Sequence, residues 1–294
     1  MPTIQHNAAQ LIRLYGQALQ LEVDQQLAGY DFIDEQDRIR YHNMQIGQFI
    51  ANTFPTACFE RLLAFSRLYT WLILNNDLYS FYSPTQLMPV HQCYEHIISG
   101  EDGGSSFDEL CQLLAKFYNE MQHFVTPAWI NRFNYHLREY LAGIRWKAGL
   151  NNTSARPLFP HYLYHCEQAS TAKLWIDFLE VAMENVLPQA VLQHSLFQRL
   201  ITLSNRIMLI GLEINAIPGY VPRETWGLQA LLQTQKQYSS PVAKQALVDL
   251  YLNDVREFQE LTATANCFGE HNYLVQTYLQ ELALWLHLQT YAVD

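Results

Sequence analysis

Apolar residues recur at steps of three and four along almost the whole chain, and alternating β-branched runs are scarce, a pattern that predicts helices throughout. The clearest case runs from Asn131 to Trp146, where Phe133, Leu137, Tyr140, Leu141 and Ile144 share one stripe while Arg132, Arg138 and Glu139 lie mostly elsewhere. Breaks are predicted at Phe54-Pro55, Ser83-Pro84, the run from Gly100 to Ser106, Thr126-Pro127, Asn151 to Pro160, Leu187-Pro188, Pro218 to Pro222 and Ser239-Ser240-Pro241. Ser106 and Thr126 read as N-caps, the second with proline at the first helical position. The Gly100–Ser106 stretch is short and flanked by helices of like composition, so it reads as a surface loop within one domain rather than a linker. No internal repeat is visible, and the expectation is an all-α protein forming a single domain over residues 1–294.

Composition sharpens that picture. With 49% hydrophobic and 13% aromatic residues over 294 positions, the chain can bury a large core. The best apolar run, Tyr69 to Leu74, is far too short for a membrane span, and Met1 to His6 lacks the basic and hydrophobic regions of a secretory signal. A cytoplasmic location is the expectation. A net charge of −10 argues against a nucleic-acid partner, which would need clustered Lys and Arg. Five cysteines, Cys58, Cys93, Cys111, Cys166 and Cys267, form no Cys-x-x-Cys pair and are odd in number, suggesting buried thiols rather than a disulfide framework or zinc site.

Several segments, in order, carry a family pattern. Phe54-Pro55 and Leu62 lead into Trp71-Leu72-Ile73-Leu74; Pro127-Ala128-Trp129 precedes Phe133, Leu137, Tyr140-Leu141 and the run Gly143 to Ala148. Tyr162-Leu163, Leu179-Glu180, Pro188, Val191, His194 and Leu200 follow. Together they resemble the bacterial class I terpene synthases, with Lys147 where that family's tryptophan-glutamate-alanine helix has glutamate. The resemblance implies an all-α class I terpenoid synthase-like bundle around a central apolar cavity, and family members often pair as homodimers.

The family's metal and diphosphate positions fall on residues that mostly lack the chemistry. Its aspartate-rich motif lands on Asn76, Asp77 and Ser80, leaving one acid. The diphosphate-sensing arginine lands on Cys166, or on His165 if the register slips by one. The second metal motif lands on Leu212, Glu213, Ala216 and Tyr220; a competing register uses Asn205, Leu209 and Glu213. The C-terminal arginine-tyrosine pair lands on Thr290-Tyr291, after Trp285. Mg²⁺ prefers octahedral oxygen ligands, and a diphosphate of about three charges needs cations around it, so these substitutions favour a neutral pocket mouth and no resident metal.

Asp77 and Glu213 are the acids left at the expected mouth, readable as proton donor or base, or as a local cap (Asp77) and a partner of Arg206 or another base (Glu213). Cys166 reads as a nucleophile or, with no evident base, a buried structural thiol, and His165 as a satisfied polar residue or a catalyst. By the resemblance, Trp71, Tyr79, Phe81, Trp146, Trp175, Trp285 and Tyr291 include several cavity-lining aromatics, whose faces stabilise carbocations; core packing accounts for most of them. Trp71, Tyr79, Trp146, Trp285 and Tyr291, with Asn76, Ser80, His165, Cys166, Leu212 and Ala216, make up the expected substrate-binding set. His161 and His165, at i and i+4, can share a metal, with no third ligand evident.

Three functions follow. One is a cyclase that folds a hydrophobic isoprenoid or polyene and closes rings without Mg²⁺-assisted loss of diphosphate. Another is a Mg²⁺-dependent terpene cyclase with an unusual ligand set drawn from Asn76, Asp77, Asn205 and Glu213. The last is a non-catalytic carrier of apolar ligands.

Overall fold

The computed structural model describes residues 2–101, 108–150, 156–214 and 227–290, with side chains from 9 to 287 within those limits. Every regular element in them is helical, as the periodicity predicts: α1 (Pro2–Ala28), α2 (Glu35–Asn43), α3 (Ile46–Thr53), α4 (Phe59–Tyr79), α5 (Pro84–Ile98), α6 (Glu109–Met121), α7 (Pro127–Leu150), α8 (Phe159–Gln168), α9 (Ala172–Ala182), α10 (Gln189–Leu192), α11 (Ser195–Ile214), α12 (Leu228–Lys236), α13 (Ser240–Ala263) and α14 (Asn272–Thr290), with a 3₁₀ turn at Gly269–His271.

Proline sets several helix starts, because its fixed φ suits the first turn and its missing N–H has no partner there anyway. Pro84 and Pro127 open α5 and α7, and Pro241 lies in the first turn of α13. Thr126 caps α7 as expected, its Oγ1 accepting from Trp129 N at 3.3 Å. Ser106 lies outside the described residues; the cap of α6 is Asp108, whose Oδ1 accepts from Cys111 N at 2.8 Å.

The helices group into two compact units, Met1–Phe81, Met88–Ile130 and Val181–Glu184 in the first and Tyr82–Leu87, Asn131–Glu180 and Asn185–Asp294 in the second. In the first, α1 packs on α3, and α4 on α3 and α6. Gly47 permits the α1–α3 approach: a Cβ there would lie 2.2 Å from Gln20 N and 2.5 Å from Gly16 O. Gln20 Oε1 then accepts from Gly47 N at 3.0 Å, tying the two backbones together. Trp71, fully buried, meets the Tyr94 ring edge-on at 4.9 Å. Cys93 of α5 and Cys111 of α6 form a disulfide, correcting the reading of the cysteines as unpaired thiols. Their 18-residue separation is unremarkable in sequence; the pairing arises from where the two helices lie.

In the second unit, α11 packs on α13, α14 and α8, and α12 on α13 and α8. Phe133 and Leu137 of the α7 stripe are fully buried, with Phe133 stacked on Phe178 at 5.8 Å. The break between α8 and α9 sits on Gly143 of α7, where a Cβ would lie 2.5 Å from Ala169 N. Arg132, off the apolar stripe, still enters a buried network: Nε donates to Asp177 Oδ1 at 3.0 Å and Nη2 to Glu180 Oε1. His136 Nδ1 meets Asp177 Oδ2 at 2.6 Å, and Leu187 N donates to Glu180 Oε2 at 2.9 Å.

Candidate functional site

Asp77 occupies the last turn of the 21-residue α4, whose apolar residues hold that helix in the core. Its partners come from α2, a helix begun by Asp34, whose Oδ1 accepts from Asp37 N at 2.8 Å. One turn on, Arg40 and Tyr41 both reach Asp77 Oδ2, through Nη1 at 2.7 Å and the phenolic hydroxyl at 2.9 Å. Arg40 also binds Asp37 Oδ1 through Nη2 at 2.8 Å and lies over the Tyr41 ring, 4.4 Å from its centroid. Burial pushes the Tyr41 hydroxyl above its ordinary range, and the Asp77 charge pushes it further, so it stays a neutral donor. The Arg40 guanidinium loses from burial but gains more from hydrogen bonds to Asp37 and Asp77, which hold it firmly charged.

Around Asp77, Asn76 is exposed while Tyr79 and Ser80 are half-buried. Trp71 is buried with its Nε1 lacking a hydrogen-bond partner. Asn75, which the sequence reading passed over, is buried and its Oδ1 accepts from Tyr94 OH at 3.0 Å.

Glu213 lies in the second unit, in the last turn of α11. Its Oε1 accepts from Gln229 N at 3.4 Å, and a Cβ on Gly227 would come within 2.5 Å of that oxygen. The carboxylate therefore sits at the start of α12, where a helix favours negative charge. Arg206, the partner considered from sequence, instead binds Asp254 with Nε at 2.5 Å from Oδ2. Leu212 is 39% exposed. Asn205 is buried, its Nδ2 donating to Glu167 O at 2.9 Å and its Oδ1 left without a partner. Ala216, Tyr220 and Tyr291 lie outside the described residues, and so does the side chain of Thr290.

Cys166 is buried in an apolar cluster with Tyr162, Ile210, Leu228 and Leu231, the setting of a structural thiol. His165 lies flat on Trp146, with ring centroids 4.0 Å apart. Its Nδ1 meets Gln168 Oε1 at 3.1 Å and its Nε2 meets His161 Nε2 at 3.1 Å. Burial and His161 together lower the pKa of His165. Trp285 is buried with an unpartnered Nε1.

Residues 67–211 match the family model described as terpene synthase family 2, C-terminal metal binding. The (+)-T-muurolol synthase of Roseiflexus castenholzii, named as cyclising (2E,6E)-farnesyl diphosphate, is 21% identical over 88% of this chain and 81% of its own. The 10-epi-cubebol synthase of Sorangium cellulosum is 22% identical over 80% of this chain and 77% of its own. The family model and these relatives support this chain as a member of the bacterial class I terpene synthase family. The fold agrees: 2-methylisoborneol synthase from Streptomyces coelicolor, solved with Mg²⁺ and 2-fluoroneryl diphosphate, superposes with a TM-score of 0.81 at 13% identity, over 94% of this chain and 90% of that one.

Whether this terpene synthase relative can hold the family's metal is a question of donors. Among the described residues, no group of three or more His, Cys, Asp or Glu is placed to hold a metal ion. Asp77 Oδ2 already takes two donors, whereas Asn205 engages only its Nδ2 and leaves Oδ1 without a partner. A hard divalent ion needs several oxygen ligands, and the second-motif positions Ala216 and Tyr220 lie outside the described residues. Arg40 and Tyr41 are the site residues that sequence reasoning missed; the Asp34 cap signal marks α2, but nothing in the spacing links it to a residue 36 positions later. No described helix is long and apolar enough to cross a membrane.

Proposed function

We propose that this terpene-synthase homologue, acting as one α domain in the cytoplasm, binds a hydrophobic isoprenoid or polyene and cyclises it without Mg²⁺-assisted departure of diphosphate. The observation that carries the reading is the closure of Asp77 by Arg40 and Tyr41. A carboxylate oxygen already held by a guanidinium and a phenol offers little to a second cation, so Asp77 acts as a positioning residue. Glu213 is the remaining acid: protonated, it gives the proton, and the start of α12 then steadies the carboxylate left behind until a proton returns. Addition of that proton to one alkene carbon makes a cation; a second alkene attacks it and closes a ring; loss of a proton beside the new cation returns the acid. Atoms balance as an isomerisation, and aromatic faces of the kind in the expected substrate-binding set steady the cation while it lasts.

A second reading retains Mg²⁺. It draws on the metal-binding description of the matched family and on the buried, unpartnered Oδ1 of Asn205.

Calorimetric titration with Mg²⁺ and pyrophosphate, run beside gas-chromatographic assay of farnesol and of geranyl, farnesyl and geranylgeranyl diphosphates, separates the readings. Cyclised product that persists in chelator, with no heat from Mg²⁺ and pyrophosphate, is the expected result. Product only when Mg²⁺ and a diphosphate substrate are both present would establish the metal-dependent reading instead. If Glu213 moves the proton, Glu213→Gln lowers turnover by about a hundredfold or more.

A further inference from the structure

α8 presents a pair of nitrogens suited to a different kind of ion from Mg²⁺. His161 and His165 lie one helical turn apart with their Nε2 atoms 3.1 Å from each other. Two imidazole nitrogens bonded at about 2.0–2.1 Å to one tetrahedral ion lie about 3.3 Å apart, so the pair needs only a slight opening to accept one. His161 is exposed and His165 half-buried, which leaves room for water at the remaining ligand positions.

The protonation pattern is preset. Gln168 Oε1 can only accept, so His165 Nδ1 carries the hydrogen and its Nε2 presents a lone pair. A carbonyl on the far nitrogen is the arrangement that orients a metal-bound histidine. His165 is also pinned flat against Trp146, so little ring freedom is lost on binding. His161 currently donates its Nε2 hydrogen to that lone pair. On binding, this hydrogen leaves for solvent while one arrives at Nδ1, a change of tautomer with no net proton released.

We propose that His161 and His165 form a site for a borderline transition-metal ion such as Zn²⁺, Ni²⁺ or Cu²⁺, with the Gln168 side chain as its supporting acceptor. Imidazole suits these ions and not Mg²⁺. The competing pair, His194 Nε2 and Cys267 Sγ at 3.7 Å, joins two loop positions, and the Phe268 ring beside His194 is tilted at 53° rather than lying flat on it.

The test titrates chelator-treated full-length protein with Zn²⁺ by calorimetry and with Cu²⁺ by tryptophan fluorescence, since a Cu²⁺ ion beside His165 quenches the stacked Trp146. One ion per chain with partial quenching is expected. His161→Ala and His165→Ala each weaken binding at least about tenfold, and Gln168→Leu by about tenfold as an outer-shell loss. Trp146→Phe keeps the Zn²⁺ heat and loses the quenching, while His194→Ala changes neither. Equal binding in His161→Ala, loss in His194→Ala, or no binding by folded wild type overturns the proposal; a circular dichroism spectrum of each variant excludes misfolding as the cause.

Discussion

Two arginine–carboxylate clusters, one in each unit, illustrate how burial changes what an ion pair does. Arg40 is 46% exposed where it meets Asp77, itself 18% exposed. Arg132 is 20% exposed, but its acceptors Asp177 and Glu180 are only 4% and 2% exposed. Near water the attraction is weak and salt-screened, so the Arg40 pair contributes little to stability and matters mainly because it occupies the carboxylate. Two buried acids close together, by contrast, depend on Arg132 for compensation, and losing it strands charge in the interior.

Removing Arg132 should therefore break the comparison most severely. Arg132→Met is expected to cost about 3–5 kcal/mol in urea unfolding, as a buried pair broken from one side; a loss below about 1 kcal/mol would show the network to be hydrated.

Glu180 gives the next effect, and it is read with pH. Burial above all raises its carboxyl to about 7, against the pull of Arg132 and of the Leu187 N–H. Between about pH 4.5 and 7 the folded chain keeps a proton that the unfolded chain has released, so stability falls as pH rises through that window and levels off above it. The full drop is roughly 3 kcal/mol. Glu180→Gln, which keeps an acceptor for Leu187 N, should flatten this slope; an unchanged slope would assign it to other groups.

The smallest stability effects belong to the exposed pair. Arg40→Met and Asp77→Asn should each change stability by less than about 1 kcal/mol, and a double-mutant cycle should give a coupling in the same range that shrinks in high salt. A coupling of several kcal/mol would make this pair the equal of the buried one.

Much of the fold was legible because its punctuation is local. Pro84, Pro127 and Pro241 act within one turn of their own position, and Thr126 caps a helix three residues ahead. The site was less legible because its decisive contacts are not local. Asp77 was visible as a lone acid, but its holders lie 36 and 37 residues earlier on another helix. Glu213 was visible too, while its donor belongs to the backbone of α12, and backbone groups leave no mark in a pattern of side chains. The same holds for Cys93 and Cys111, joined by helix placement alone, and for the α8–α9 break, which needs Gly143 on a different helix.

The bond from Gly47 to Gln20 also bears on how the chain is made. It spans 27 residues, so α1 and α3 can pair soon after both leave the ribosome, closing a short loop at little entropic cost. Tyr278 OH, by contrast, donates to Ile176 O across 102 residues, a contact of the second unit that cannot form until α14 has emerged. Translation therefore delivers a nascent chain whose leading part can condense while its trailing part still waits for its last helix, and the waiting part is the one that needs protection from aggregation.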